Sequence, residues 1–169
     1  AFSNCNNLAS LTIGDGVKSI AGNAFSNCNS LASLIIPNSV TNIGDYAFYY
    51  CDSITSAIIG ANTESIGNYA FYACDSLTFI EIPAALTAVG SYAFGACHKL
   101  QELPIENGVT GIGYGMFAGC DNLKSVVIPD SITYIDDQAF SGCTALTSIV
   151  MGGNIETIGA VEIYAFSPY

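Results

Sequence analysis

Short runs of alternating apolar and polar residues mark this chain, and the whole pattern returns every 23 residues. In one unit the stretch from Ser33 to Ile36 is a β-rich run ended by Pro37 and Asn38, the punctuation of a strand followed by a turn. A second run, Val40 to Ile43, closes at Gly44. Stacking the units produces columns, and three of them are monotonously apolar. One is Leu8, Leu31, Ile54, Leu77, Leu100, Leu123 and Leu146; another runs from Ile13 through Ile36 to Met151; the third runs from Ile20 through Ile43 to Ile158. A period of two within a run and of 23 between runs thus agree on which side faces the core.

Between the second run of one unit and the first run of the next lies Ala-Phe-x-x-Cys. Its Phe is Phe2, Phe25, Phe48, Phe71, Phe94, Phe117 and Phe140, its Cys follows three places later from Cys5 to Cys143, and only Met116 replaces the Ala. A fixed period of this length is the signature of a solenoid, in which each coil buries its apolar face against its neighbours. The segment is too short for a helix of average length, and the expectation is a single helical or 3-10 turn with Phe as a plug. Asn and Asp dominate the position after Cys, where their side chains suit a turn.

The motif Leu-x-x-Ile-x-Ile-Pro-x-x-Val-x-x-Ile-Gly-x-x-Ala-Phe-x-x-Cys resembles the BspA-like, Treponema-type leucine-rich repeats, and the resemblance covers essentially the whole chain. It implies a secreted or cell-surface protein used in adhesion, with neighbouring cells or matrix proteins such as fibronectin and fibrinogen as partners. It also departs from the usual leucine-rich repeat, which carries an Asn bonding backbone inside each turn; no such Asn column runs through this chain. The expected fold is an α/β-type repeat solenoid, right-handed and leucine-rich-repeat-like, mostly β and irregular. Residues 1–169 form one such domain of about seven to eight coils, whose start lies within a repeat. Residues 159–169 are expected to form an atypical terminal repeat, because Ala165-Phe166 arrives 26 residues after Ala139 and lacks the Cys. The abrupt first coil suggests missing upstream repeats or end-to-end association.

Charge narrows the partners. Fourteen acids against three Lys and no Arg give a formal charge of −11, which disfavours nucleic acid and anionic membranes. No apolar run approaches the roughly 18 to 20 residues of a membrane span, so no membrane insertion is expected. Seven cysteines in one column, an odd number whose Cβ vectors all point alike, read as buried reduced thiols.

Chemistry-bearing residues point away from catalysis. Glu81, Glu102 and Glu106 formally resemble a carboxylate dyad or a Ca²⁺ site, yet no insertion builds a cleft around them. His98 is the sole histidine, and no P-loop, His-Glu-x-x-His or Cys-x-x-Cys occurs. No catalytic residue, metal ligand or cofactor is assigned. The candidate protein-binding residues are instead Ile35, Ile58, Phe79, Val127 and Val150 on the outward columns of the first run, and Tyr46, Tyr49, Tyr69, Tyr72 and Tyr92 on one flank. The aliphatic column reads as a binding face, as a face covered by flanking loops or by another part of a longer protein, or as a choice of good strand formers. The tyrosines read as a recognition surface or as a ladder shielding the Phe plugs. The function expected is a non-enzymatic, extracellular or cell-surface binding module. The alternatives are a spacer, a module for end-to-end or face-to-face self-association, or a targeting domain.

Overall fold

A computed structural model describes residues 1–159, which include twelve strands of two or three residues each, numbered along the chain. They stack in two rows. The first row holds β2 (Ser33–Ile35), β4 (Ser56–Ile58), β6 (Phe79–Ile80), β9 (Ser125–Val127) and β11 (Ser148–Val150). The second holds β1 (Ser19–Ile20), β3 (Asn42–Ile43), β5 (Ser65–Ile66), β7 (Ala88–Val89), β8 (Gly111–Ile112), β10 (Tyr134–Ile135) and β12 (Thr157–Ile158). All pairing is parallel and joins equivalent residues of successive coils, as in Ser33↔Ser56 and Ile43↔Ile66. The expected terminal repeat lies outside the described residues, save Gly159.

The core is a set of vertical columns. Leu31, Ile54, Leu77, Leu100 and Leu123 are fully buried, and Ile36, Ile82 and Ile128 nearly so. The residue between the two outward positions of each first-row strand also points inward: Leu34, Ala57, Ile80 and Val126 are buried. Thr63 is a buried polar residue in this core, and its hydroxyl donates to the Val40 carbonyl of the coil before at 3.2 Å. The Phe plugs form one continuous stack, with ring centroids 5.2–5.7 Å apart and planes within 5–16° of parallel.

The helical element of the α/β expectation is absent: among the described residues there is no helix and no 3-10 turn. The reason lies in where the backbone donors go. Phe48 N–H bonds the Ala70 carbonyl of the next coil at 2.7 Å, and Phe71 N–H the Ala93 carbonyl at 2.7 Å, so neither is free for an intrasegment helical bond. Asn4 takes a left-handed φ after Phe2, and two positions flanking each Phe from Phe25 to Phe140 do so. They are Asn23, Tyr46, Tyr69, Tyr92, Gly115 and Gln138 on one side, and Asn27, Tyr50, Ala73, Ala96, Gly119 and Gly142 on the other. A right-handed helical turn cannot contain such residues.

Both rows break at one junction. In the first, the coil after β6 keeps only the bridges Phe79↔Glu102 and Ile82↔Ile105, because Pro104 occupies a strand position and has no N–H for the ladder. In the second, β7 and β8 lie a coil apart in sequence yet belong to separate sheets. The Phe stack continues across this junction, with Phe94 and Phe117 at 5.7 Å, the widest gap in the stack. Removing a plug there should be felt along the rod: Phe94→Ala is expected to lower unfolding stability by about 3–5 kcal/mol. Urea unfolding followed by circular dichroism reads this directly, and a loss under about 1 kcal/mol would show that the stack carries little of the stability.

Candidate functional site

Residues 33–36 alternate out and in because each strand of the first row buries one face against the core. Ile35, Ile58, Val127 and Val150 therefore stand outward at 62%, 60%, 62% and 56% exposure, and Phe79 at 39%. Register pairs Ile35 with Ile58 and Val127 with Val150 as direct neighbours, each pair beside a pair of serines, Ser33–Ser56 and Ser125–Ser148. The face is thus two aliphatic pads. Exposed Glu81 and Glu102 occupy the coils between them. A shallow groove runs from Ile35 and Ile58 past Pro37 and Gly60 toward Lys18 and Asn62.

The five candidate tyrosines are brought together on one flank. Tyr46, Tyr69 and Tyr92 stack with centroids 5.2 and 5.3 Å apart, and Tyr49 stacks on Tyr72 at 5.7 Å. The two columns meet edge to face, Tyr46 with Tyr49 and Tyr69 with Tyr72, both at 5.3 Å. All five are half-buried. Tyr50 and Tyr114, not among the candidates, extend the cluster. Burial pushes the phenols of Tyr49 and Tyr72 up from their ordinary value and that of Tyr92 to about 12.

Backbone conformation sets the Tyr column apart. Tyr46, Tyr69 and Tyr92 have φ of 57°, 54° and 55°, where a bulky residue is uncommon and disfavoured by about 1–2 kcal/mol. An aromatic stack returns about 0.5–1.5 kcal/mol per pair, so the ladder roughly offsets its own strain. The column ends at Gly115, where an added Cβ would fall 2.5 Å from the Tyr92 ring. Tyr92 passes over that glycine, and its hydroxyl donates to Gln138 Oε1 at 2.7 Å, two coils away.

The cysteine column supplies the backbone donor for which no Asn column exists. Cys51, Cys74, Cys97 and Cys120 are fully buried, and each thiol donates to the Phe carbonyl of the coil before, at 3.1–3.4 Å. Of these four carbonyls, that of Phe48 also accepts the Cys51 N–H of its own coil, at 3.3 Å. Burial pushes the thiols of Cys51 and Cys97 up to about 12. His98 Nδ1 lies within hydrogen-bond distance of Asp121 Oδ2, 2.9 Å, on the surface, and no Lys pairs with a carboxylate among the described residues. No three His, Cys, Asp or Glu gather into a metal-holding group among them.

With this geometry in view, the chain's likeness to known proteins is informative. The family described as BspA type leucine rich repeat region, in 6 copies, matches residues 1–94 and 64–167. The chain belongs to this family. A leucine-rich repeat protein of Treponema pallidum is similar at 31% identity and a TM-score of 0.79, over 89% of this chain and 72% of that one. A leucine-rich repeat protein of Bacteroides ovatus is 26% identical with a TM-score of 0.63, over 85% of this chain and 43% of its own. A leucine-rich cell surface protein of Faecalibacterium prausnitzii is 25% identical with a TM-score of 0.54, over 90% and 62%. The chain therefore spans less than two thirds of the length of the last two. No curated protein sequence matches it. The BspA-type repeat here replaces an amide ladder with a thiol ladder, and no described helix is long and apolar enough to cross a membrane.

The thiol ladder makes a direct prediction. At pH 8 in the folded state Cys5, which is exposed, should react with a thiol reagent at once, the five buried thiols should be silent, and all seven should titrate after unfolding. Because the folded pKa values of Cys51 and Cys97 lie above the ordinary value of 9.0, the unfolded chain loses its protons first. Their contribution to stability should be intact below pH 9 and decline toward pH 12. Alkaline unfolding curves of Cys51→Ala and Cys97→Ala should be correspondingly less steep.

Proposed function

We propose that the chain is a non-enzymatic protein-binding module of a cell-surface or secreted adhesin, engaging host matrix or microbial surface proteins through its repeated faces. One observation carries the reading: aliphatic side chains on a regular sheet face stand outward where the fold makes no demand on their identity. The inward residues satisfy the core, and Glu81 takes the outward position of Ile35 and Ile58 while Ile80 and Ile82 on either side of it stay fully buried. Paired aliphatic groups of this kind are typical of interaction sites. The tyrosine flank supports the same reading, since its stacking does no more than offset its strain, and Tyr supplies large contact area at low entropic loss. Similarity to a protein described as a leucine-rich cell surface protein supports the location.

Fibronectin and fibrinogen are the first partners to test. Saturable binding of the chain to either, immobilised at physiological salt, is expected, with an equally acidic unrelated protein inert. Ile35→Glu with Ile58→Glu should leave the circular dichroism spectrum unchanged and weaken binding at least tenfold, about 1.4 kcal/mol. If the double variant instead leaves binding untouched, or merely turns an oligomer into a monomer, the sheet face is not the adhesive surface and the spacer or self-association role takes its place.

A further inference from the structure

We infer that the sheet face selects a partner segment in extended conformation with the order aliphatic, any residue, Lys or Arg, any residue, aliphatic; this rests on the sheet-face reading above. The inference starts from the division of the face. Ile58 and Val127, the inner members of the two pads, are three coils apart, which at strand spacing is about 14 Å. The coils between them carry Glu81 and Glu102, both exposed, on adjacent outward columns. Glu102 is bridged to Phe79, and Glu81 lies one outward position further along the same coil as Phe79. No Lys or Arg occupies either outward column, and neither carboxylate makes an ion pair among the described residues.

The occupant follows from complementarity of length and charge. An extended segment rises about 3.3 Å per residue and presents every second side chain to one surface. Side chains at the first and fifth positions are then about 13 Å apart, matching the two pads, and the third position falls over the carboxylates. A Lys or Arg there places its charge against Glu81 and Glu102 while its stem crosses the Phe79 ring, which also favours a cation. The same arrangement disfavours a second copy of this chain. A two-fold axis relating two such faces pad to pad passes between the Glu81 and Glu102 coils, and would set four carboxylates against one another.

The test uses two peptides, acetyl-Gly-Ser-Ile-Thr-Arg-Thr-Ile-Ser-Gly-amide and the same sequence with Glu for Arg, titrated into the isotope-labelled chain and followed by amide chemical shifts. The Arg peptide should perturb amides of β4, β6 and β9 saturably. The Glu peptide should bind at least about tenfold more weakly, and the preference should shrink from about 50 to about 300 mM salt. Glu81→Gln with Glu102→Gln should remove the preference, whereas Asp136→Asn with Asp137→Asn, the same change of charge on the second row, should keep it. Equal binding of the two peptides, still lost in Ile58→Ser, would overturn the cationic centre and leave the sheet-face reading standing. Preference for the Arg peptide that ignores both Ile58→Ser and Val127→Ser would overturn the pads, and with them that reading. No shift at about 5 mM peptide, or dimerisation of the unmodified chain through this face at neutral pH, would overturn the proposal.

Discussion

The in-register backbone hydrogen bond between one coil and the next is the constraint from which the rest of this structure follows. Each residue lies over its equivalent 23 places away, so a side chain has its own column as its nearest neighbour. A residue type is therefore chosen once and repeated. Phe stacks on Phe and buried Cys on Cys, while the aliphatic columns interchange residues of similar shape, as Ile54 does between Leu31 and Leu77. The two rows of short strands are too brief to be stable alone. Their stability is the sum of contacts between neighbouring coils, as expected of a quasi-one-dimensional fold.

Register also explains two features that would be anomalous in a globular domain. Buried thiols act as hydrogen-bond donors because a carbonyl of the preceding Phe points along the stack and has a second lone pair to satisfy. A sulfur donor is weak, but it is also compact and apolar, so the column can be buried without water. Left-handed φ at the tyrosines arises because the chain must turn twice around each Phe while its N–H groups stay directed at the next coil. Coils at either end of the tyrosine run meet the same demand with Asn, Gln or Gly. The tyrosines thus occupy a position that the backbone permits to many residues and prefers for few.

Much of this architecture is legible in the amino-acid order. The repeat length, the inward columns and the outward exposure of Ile35, Ile58, Val127 and Val150 all follow from periodicity, since a strand admits only two faces. The helical turn is not formed because the Phe N–H of Ala-Phe-x-x-Cys is claimed by a neighbouring coil, and the length of the segment alone says nothing of that donor. Asn4, Asn27, Gly119 and Gly142 in a single column were the available sign of a left-handed turn. The thiol ladder has no sequence signature beyond a recurring Cys. The interruption of both rows is only half legible: Pro104 announces the first, whereas nothing in Ala88-Val89 or Gly111-Ile112 announces the second. Tyr92 reaching Gln138 across Gly115 depends on ring length against coil spacing and is visible only in three dimensions.

What the fold requires and what it leaves open are therefore cleanly separated: inward columns hold the rod, and outward columns are free to record a partner. The most direct test is thermal unfolding of a chain in which Ile35, Ile58, Val127 and Val150 are all replaced by Thr, which keeps the β-branched shape and strand propensity while removing the apolar surface. A melting temperature within about 3 °C of the unmodified chain is expected, because exposed positions contribute little to stability. A fall of about 10 °C or more would contradict the account, showing that these side chains belong to the core and are not a surface left for recognition.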